Sequence, residues 1–522
     1  MMKRSNILLI VLFVCVHFMF GQEIIPLPNY YHRQDGVLKL PNIITISASE
    51  EFINLIPNFK ESAKKNSIRL KMKKRDGFIQ LVKSNLLEKP EEYRLSITPE
   101  GIIIEAGHPN GCFYGLQSTL QLIMNAKQSK SLPISVIKDC PRFDWRGVMV
   151  DESRHFIGKI EIKRLLDIMA FYKLNKFHWH LTDSQGWRIE IKKYPLLTTV
   201  GAIGNISNPN AAAEFYSQDD IEEIVKYAND RFIEVIPEID MPGHATAAVK
   251  AYPEFSGGGS EMYPNFTFNP GKDATYSFLT DIIREITTLF PSQYIHIGGD
   301  EVHFGNKQWN DLPEVKILMK NEKMSDLLDV EQYFINRMAD TINTLDKTVI
   351  GWDEVIKSNL KVNNTVVMWW RHDQPQLLEQ TLNYGYNTIL CPRIPLYFDF
   401  VQHESHSSGR KWNGAYAPIE SVYEFPSLKL TGGININSPL VMGIQANVWT
   451  EVIHNKERFQ FMVYPRIAAL AEAAWTNDSI KDFKHFDKRM ENVFKLYAKE
   501  GITFFDYKNP EKSHEIKGPN KD

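Results

Sequence analysis

Tyr294-Ile295-His296-Ile297-Gly298-Gly299-Asp300-Glu301 is the stretch that decides the fold. A short apolar run ends in two glycines, and two adjacent carboxylates follow. Short, nearly continuous apolar runs read as strands buried on both faces, as in a parallel sheet. The same pattern recurs at 146–150, 176–181, 232–239, 294–297, 348–351, 365–369, 386–390 and 441–446, with helical stretches between several of the runs. Polar and aromatic residues follow nearly every one. That arrangement predicts a (β/α)8 barrel with insertions, because a closed barrel carries its chemistry on the C-terminal rim of all its strands. The alternative, a doubly wound open sheet, would gather its ligand residues at a single switch point.

The pattern changes near Asp139-Cys140-Pro141-Arg142. Before it, β-like runs at 43–46 and 101–106 alternate with helical stretches at 50–66 and 111–124. A small α+β domain is therefore expected over 22–138, a normal domain size, with the barrel over 139–507. At the start, Lys3 and Arg4 precede an apolar stretch at 7–20 and then Gly21-Gln22. This reads as an export signal over 1–21, too short for a membrane span, and the alternative is a retained anchor. Leu12-Phe13-Val14 make Cys15 a poor lipid-attachment site. The expected product is a periplasmic or secreted protein without a membrane span in its mature part. Residues 508–522 are polar, hold Pro510 and Pro519, and are expected to fray.

The 522 residues carry 60 Lys+Arg against 63 Asp+Glu, so the basic excess of a nucleic-acid binder is missing. With 43% hydrophobic and 24% charged residues the composition is globular rather than disordered. Cys112, Cys140 and Cys391 form neither a disulfide framework nor a zinc spacing and are expected as free thiols, with a single bridge as the alternative. Aromatics are plentiful, at 12%. Most belong to the core, and the remainder can line a site for a ligand with flat apolar faces.

The residues after the runs suggest what that ligand is. They include Asp151-Glu152-Ser153-Arg154, Asp183, Glu238-Ile239-Asp240, Asp300-Glu301, Trp352-Asp353-Glu354, Trp369-Trp370, Tyr397-Phe398-Asp399 and Trp449-Thr450-Glu451. Carboxylates accept hydrogen bonds from hydroxyls, and aromatic faces cover the C–H face of a sugar ring. Gly298-Gly299 allows a tight turn, so that Asp300 and Glu301 can share one pocket. Two close carboxylates in a pocket push their pKa values apart, which leaves one protonated as an acid. The bland alternative is an acidic pair at a helix N-terminus. His178 and His180 lie on one strand face and could be metal ligands; the favoured expectation is that they fill the barrel interior against Asp and Glu, since further ligands at metal spacing are missing. His244 follows Pro242-Gly243 on a loop, where polar groups are often functional.

These stretches resemble glycoside hydrolase family 20, the β-N-acetylhexosaminidases, over about residues 23 to 505. The carriers are Arg146-Gly147 through Phe156, Lys173 through Arg188, Glu238 through His244, and His296 through Glu301. Phe113-Tyr114-Gly115-Leu116-Gln117 is similar to the family's accessory α+β domain. The resemblance implies a retaining exo-glycosidase in which the substrate's own 2-acetamido group is the nucleophile, an exception to the usual pair of carboxylates. It implies Glu301 as acid and base, Asp300 as the partner of the acetamide N–H, and Tyr397 as donor to the acetamide oxygen. Trp352, Trp370 and Trp449 are implied as pocket walls, with Trp370 preferred to Trp369. Arg154, Asp399 and Glu451 are implied for the outer sugar hydroxyls, and Asp183, Asp240 and His244 for substrate binding through a network around Glu301. Ser184 stands where a second Asp is frequent. The implied partner is a glycan with a terminal β-N-acetylhexosamine, and neither a metal nor a cofactor is implied. Narrower alternatives inside the family are removal of sulfated GlcNAc and release of a disaccharide. A metal-dependent barrel hydrolase and a non-catalytic sugar binder stand outside it. The patternless stretch 400–440 is expected to shape the leaving-group side.

Overall fold

The computed structural model describes residues 23–427 and 429–519. The expected export signal lies outside the described residues. Among these, no helix is long and apolar enough to cross a membrane, and Cys112, Cys140 and Cys391 are free.

The barrel is closed and all its strands are parallel. Its strands are β1 (Trp145–Asp151), β2 (Lys176–His180), β3 (Glu234–Glu238), β4 (Tyr294–His296), β5 (Thr348–Trp352), β6 (Thr365–Trp369), β7 (Asn387–Leu390) and β8 (Val441–Val448). Each run read from the sequence is one of these strands, to within two residues at most ends. Alternation sorts their side chains, because successive strand residues face opposite sides. In β6, Val366 and Met368 join an inner cluster with Met149, Ile236 and Ile350, while Val367 and Trp369 pack outward against the surrounding helices.

Helices Lys159–Phe171, Gln218–Asn229, Asp273–Leu289 and Leu327–Asn343 follow β1 to β4, and Pro375–Asn383 follows β6. Between β5 and β6 the crossover is reduced to short 3₁₀ turns, Asp353–Ser358 and Val362–Asn364. Ser217 caps the second of the helices, exchanging hydrogen bonds with Asp220 in a capping box.

The N-terminal domain is a seven-stranded mixed sheet in the order Tyr30–Lys39, Ser131–Asp139, Tyr93–Ile97, Ile102–Ala106, Ile79–Lys83, Ile44–Ala48, Leu70–Met72. Helix Pro109–Asn125 is buried on nearly every side, which is why it reads as apolar all round. Charged groups buried where the domain meets the barrel are all paired. Arg146 holds Glu91 through both terminal nitrogens, at 2.7 and 2.9 Å, and Lys173 Nζ lies 3.1 Å from Asp139 and 2.9 Å from the Tyr93 hydroxyl.

The described part of the C-terminal tail makes contacts with the barrel's loops. Glu515 accepts the backbone N–H groups of Ser407 and Ser408 at 2.8 and 2.9 Å, and Arg458 donates to the Ile516 carbonyl. A polar composition hid this, because the partners are ionic and far away in sequence.

Candidate active site

Strand parity would place Asp300 toward the barrel axis and Glu301 away from it. The backbone after β4 overrides this. Gly298 and Gly299 have φ of 68° and 86°, and Glu301 is itself left-handed at φ 52°. That conformation costs a non-glycine residue roughly 1–2 kcal/mol, and such strain concentrates at functional sites. Both carboxylates therefore line one pocket. Glycine at 298 is also required by contact, since a Cβ there would lie 1.7 Å from Asp240 Oδ1.

Trp352, Trp370, Trp449 and Tyr397 line the same pocket, with Arg154, His244 and Glu451. The Trp352 and Trp449 rings are 5.8 Å apart, and Tyr397 stands 6.0 Å from Trp449. Trp370 and Tyr397 are parallel to within 11° at 6.4 Å. Each of two walls is anchored by a carboxylate behind it: Trp352 Nε1 donates to Glu238 at 3.0 Å and Trp370 Nε1 to Glu354 at 3.1 Å. Trp370, on the turn after β6, faces the pocket, whereas the outward parity of Trp369 buries it among the helices. Burial holds the Tyr397 hydroxyl well above the ordinary phenol range, so it remains a donor.

Under the pocket runs a ladder of alternating charge. Oxygens of Glu238 lie 2.9, 2.6 and 2.9 Å from ring nitrogens of His178, His180 and His296. His180 reaches Asp183 at 3.0 Å, and Asp183 is also held by His244 Nδ1 at 3.0 Å and Arg154 at 2.7 Å. His244 Nε2 faces Asp300 and Glu301, 3.7 Å from an oxygen of each. Burial opposes charge on both imidazoles, but the carboxylates outweigh it. Glu238 and Asp183 raise His180 to about 10, and Asp183 and Asp300 raise His244 to about 9. His178, where burial wins, falls to about 4. Burial, then the charges of Glu301, Glu238 and Asp183, raise Asp300 to about 7 against the pull of His244.

Three of the residues that the resemblance implies for substrate binding stand behind the pocket wall. Asp183 and Asp240 are buried and do not line the pocket. The oxygens of Asp183 are taken by His180, His244 and Arg154. Asp240 lies under Gly298, and burial together with the Asp300 charge pushes it well above the carboxylate range. Asp399 is likewise buried, behind Arg410, whose Nε is 2.9 Å from Asp399 Oδ2. Ser184 donates its backbone N–H to Asp183 at 2.5 Å, so that position braces the ladder through its main chain.

Sequence reading left four participants without a role. Glu238 is the hub of the ladder, and its signal was an inward carboxylate in an apolar strand. Glu354 holds Trp370. Arg393 lines the pocket with its guanidinium 4.9 Å from the Trp370 ring and 4.0 Å from Trp412. Arg410 lines it beside Glu451, and the stretch that carries it has no motif.

His178, Glu238 and His296 bring their ligand atoms within 4.8 Å of one another. Both nitrogens of His180 meet carboxylates in the barrel interior, those of Glu238 and Asp183. None of these residues lines the pocket.

The ladder sets a pH dependence. His244 holds Asp300 down, so losing its charge lets the Asp300 pKa rise and extends protonation of Asp300 to higher pH. For a reaction that needs ionised Asp300, the acid limb of kcat/KM is expected near pH 7, and His244→Gln is expected to move it upward by about one unit. A pH–rate profile of both proteins checks the direction.

Residues 143–478 match the family model described as glycosyl hydrolase family 20, catalytic domain, and residues 21–140 match its domain 2. A beta-hexosaminidase of Porphyromonas gingivalis is 35% identical over 93% of this chain, which spans 64% of that protein's length. A beta-hexosaminidase of Vibrio furnissii is 32% identical, with 86% of this chain and 76% of the relative covered. Among solved structures, an exo β-N-acetylglucosaminidase from Vibrio harveyi in complex with N-acetylglucosamine superposes with a TM-score of 0.84 at 30% identity, covering 93% of this chain and 78% of that one.

Proposed function

The chain belongs to glycosyl hydrolase family 20, and from that premise we propose that it removes terminal, non-reducing β-linked N-acetylglucosamine, or N-acetylgalactosamine, from oligosaccharides or glycoconjugates with retention. One observation carries the proposal. Two consecutive carboxylates, Asp300 and Glu301, enter one aromatic-walled pocket through a strained left-handed turn.

The sugar's 2-acetamido carbonyl oxygen attacks the anomeric carbon while Glu301 gives its proton to the departing glycosidic oxygen. A cyclic oxazolinium forms and the aglycone leaves. Water then adds to the anomeric carbon as Glu301 takes its proton back, and the bond to the acetamide oxygen breaks. Asp300 accepts the acetamide N–H and faces the positive charge that develops there. It can do both only when ionised, which His244 favours. Tyr397 donates to the acetamide oxygen, and Trp352, Trp370 and Trp449 enclose the acetamide methyl. Asp183 and Asp240 act from below: Asp183 orients His244 and Arg154, and Asp240 packs under Gly298 in support of the turn. Preorganised groups of this kind stabilise charge as it develops, at no reorganisation cost during the reaction.

Hydrolysis of an aryl β-GlcNAc followed by NMR tests the reading. The β anomer is expected to appear first, before mutarotation, and α as the first product would overturn it. Since every step is carried by side chains and the substrate amide, exhaustive chelation is expected to leave the rate unchanged. A loss restored by added metal would favour a metal-dependent hydrolase instead. An exported location belongs to the same proposal, and the N-terminal residue of the mature protein, expected near residue 22, checks it.

A further inference from the structure

The loop after β7 carries a cation into the pocket. Arg410 pairs with Asp399 through Nε and with Glu451 through a terminal nitrogen, so that one guanidinium spans two carboxylates. It lines the cavity with 40% of its side chain exposed, whereas Asp399 is fully buried and Glu451 is 10% exposed. Arg154, fixed by Asp151 and Asp183, stands on the same side over the Trp449 ring.

The main chain holds Arg410 firmly. Its N–H donates to the Asp399 carbonyl at 3.1 Å, and its carbonyl accepts from Val401 at 3.2 Å. Gly409 before it has φ 141°, and a Cβ there would lie 2.6 Å from Val401 Cγ1. Further back, the Ser407 and Ser408 N–H groups are held by Glu515, and the Ser408 carbonyl accepts from Arg458. A distant segment thus locks the arginine's loop in place before any ligand arrives. A preorganised fork of this kind loses little entropy when it binds.

We infer that Arg410, held from behind by buried Asp399, is a specificity-determining residue that orients Glu451 and, with it, reads the outer hydroxyls of the sugar. The inference rests on the proposed reading, in which this pocket holds the N-acetylhexosamine ring. A hydroxyl needs both an acceptor for its hydrogen and a donor to its oxygen. Glu451 supplies the first and the exposed guanidinium edge the second. A site built in this way penalises a sugar that lacks the hydroxyl, because buried charges are left short of a partner.

The experiment compares kcat and KM for aryl β-GlcNAc and its 4-deoxy and 6-deoxy analogues in the wild type, Arg410→Ala, Arg410→Gln and Arg410→Lys, with thermal midpoints as a fold control. In the wild type at least one analogue is expected to lose roughly tenfold in kcat/KM. In Arg410→Ala the parent substrate is expected to rise roughly 10- to 100-fold in KM with kcat little changed, and the analogue's penalty to shrink below about threefold. Arg410→Lys is expected to recover part of the KM, and Arg410→Gln carries the comparison if the alanine variant does not fold. A penalty that survives unchanged in the variants, or an equal loss on all three substrates, would overturn the inference while leaving the hexosaminidase reading intact. A wild-type protein that cleaves none of the three overturns both.

Discussion

Glu301→Gln is expected to lower kcat on β-GlcNAc substrates by roughly 10²–10⁴-fold, the range for removal of a general acid–base group. The loss should depend on the leaving group. A nitrophenolate departs without a proton, so its first step survives in part, whereas a sugar alcohol requires the proton and loses most. The second step needs a base whatever the aglycone. A small anionic nucleophile such as azide needs no deprotonation and is expected to restore turnover of the aryl substrate, giving a β-glycosyl azide. Retention of rate on both aryl and sugar aglycones would remove Glu301 from the mechanism. The substitution is isosteric at a position one-third exposed, so loss of folding is not the expected cause of a deficit.

The second large effect lies in the substrate. Replacing the 2-acetamido group by a hydroxyl removes the nucleophile, and among the described residues lining the pocket the carboxylates already have other tasks. Effective molarities of roughly 10⁵–10⁸ M, or about 7–11 kcal/mol, are available to a well-oriented intramolecular nucleophile. An aryl β-glucoside is therefore expected to be cleaved at least about 10⁴-fold more slowly than the matching β-GlcNAc. Asp300→Asn should act on the same step, since an amide neither carries the charge that faces the oxazolinium nor reliably presents an acceptor to the acetamide N–H. A loss of roughly 10²–10³-fold is expected, as for other groups aimed at developing charge. Comparable rates on glucoside and GlcNAc substrates would point to a protein nucleophile and dismiss the substrate-assisted route.

The sequence and the tertiary structure divide this site between them along clear lines. The eight strands were legible because burial on both faces imposes an apolar run that any window of a few residues reveals. Trp370 and the pair Asp300-Glu301 were legible for a related reason, as they sit immediately beyond a strand whose position was known. The turn into β6 was less so: nothing local announces that Asp353–Ser358 replaces a crossover helix.

For Asp183 and Asp240, a carboxylate at a strand end is the same in sequence whether it faces a sugar or an imidazole. Only the packing of His180, His244 and Arg154 around Asp183 decides between the two. Arg410 was hidden altogether. It acts through ion pairs to Asp399 and Glu451, and its loop is pinned by Glu515 from more than a hundred residues away.

By itself, then, the sequence determined the barrel, its accessory domain and the adjacency of the two carboxylates that enter the pocket. Periodicity and adjacency are local properties of a chain, and burial enforces them. The tertiary structure decided which carboxylates meet the pocket, which imidazoles are charged, and where the second arginine stands. Those outcomes depend on distances of a few ångström between residues remote in sequence, across which Coulomb energy and desolvation change steeply.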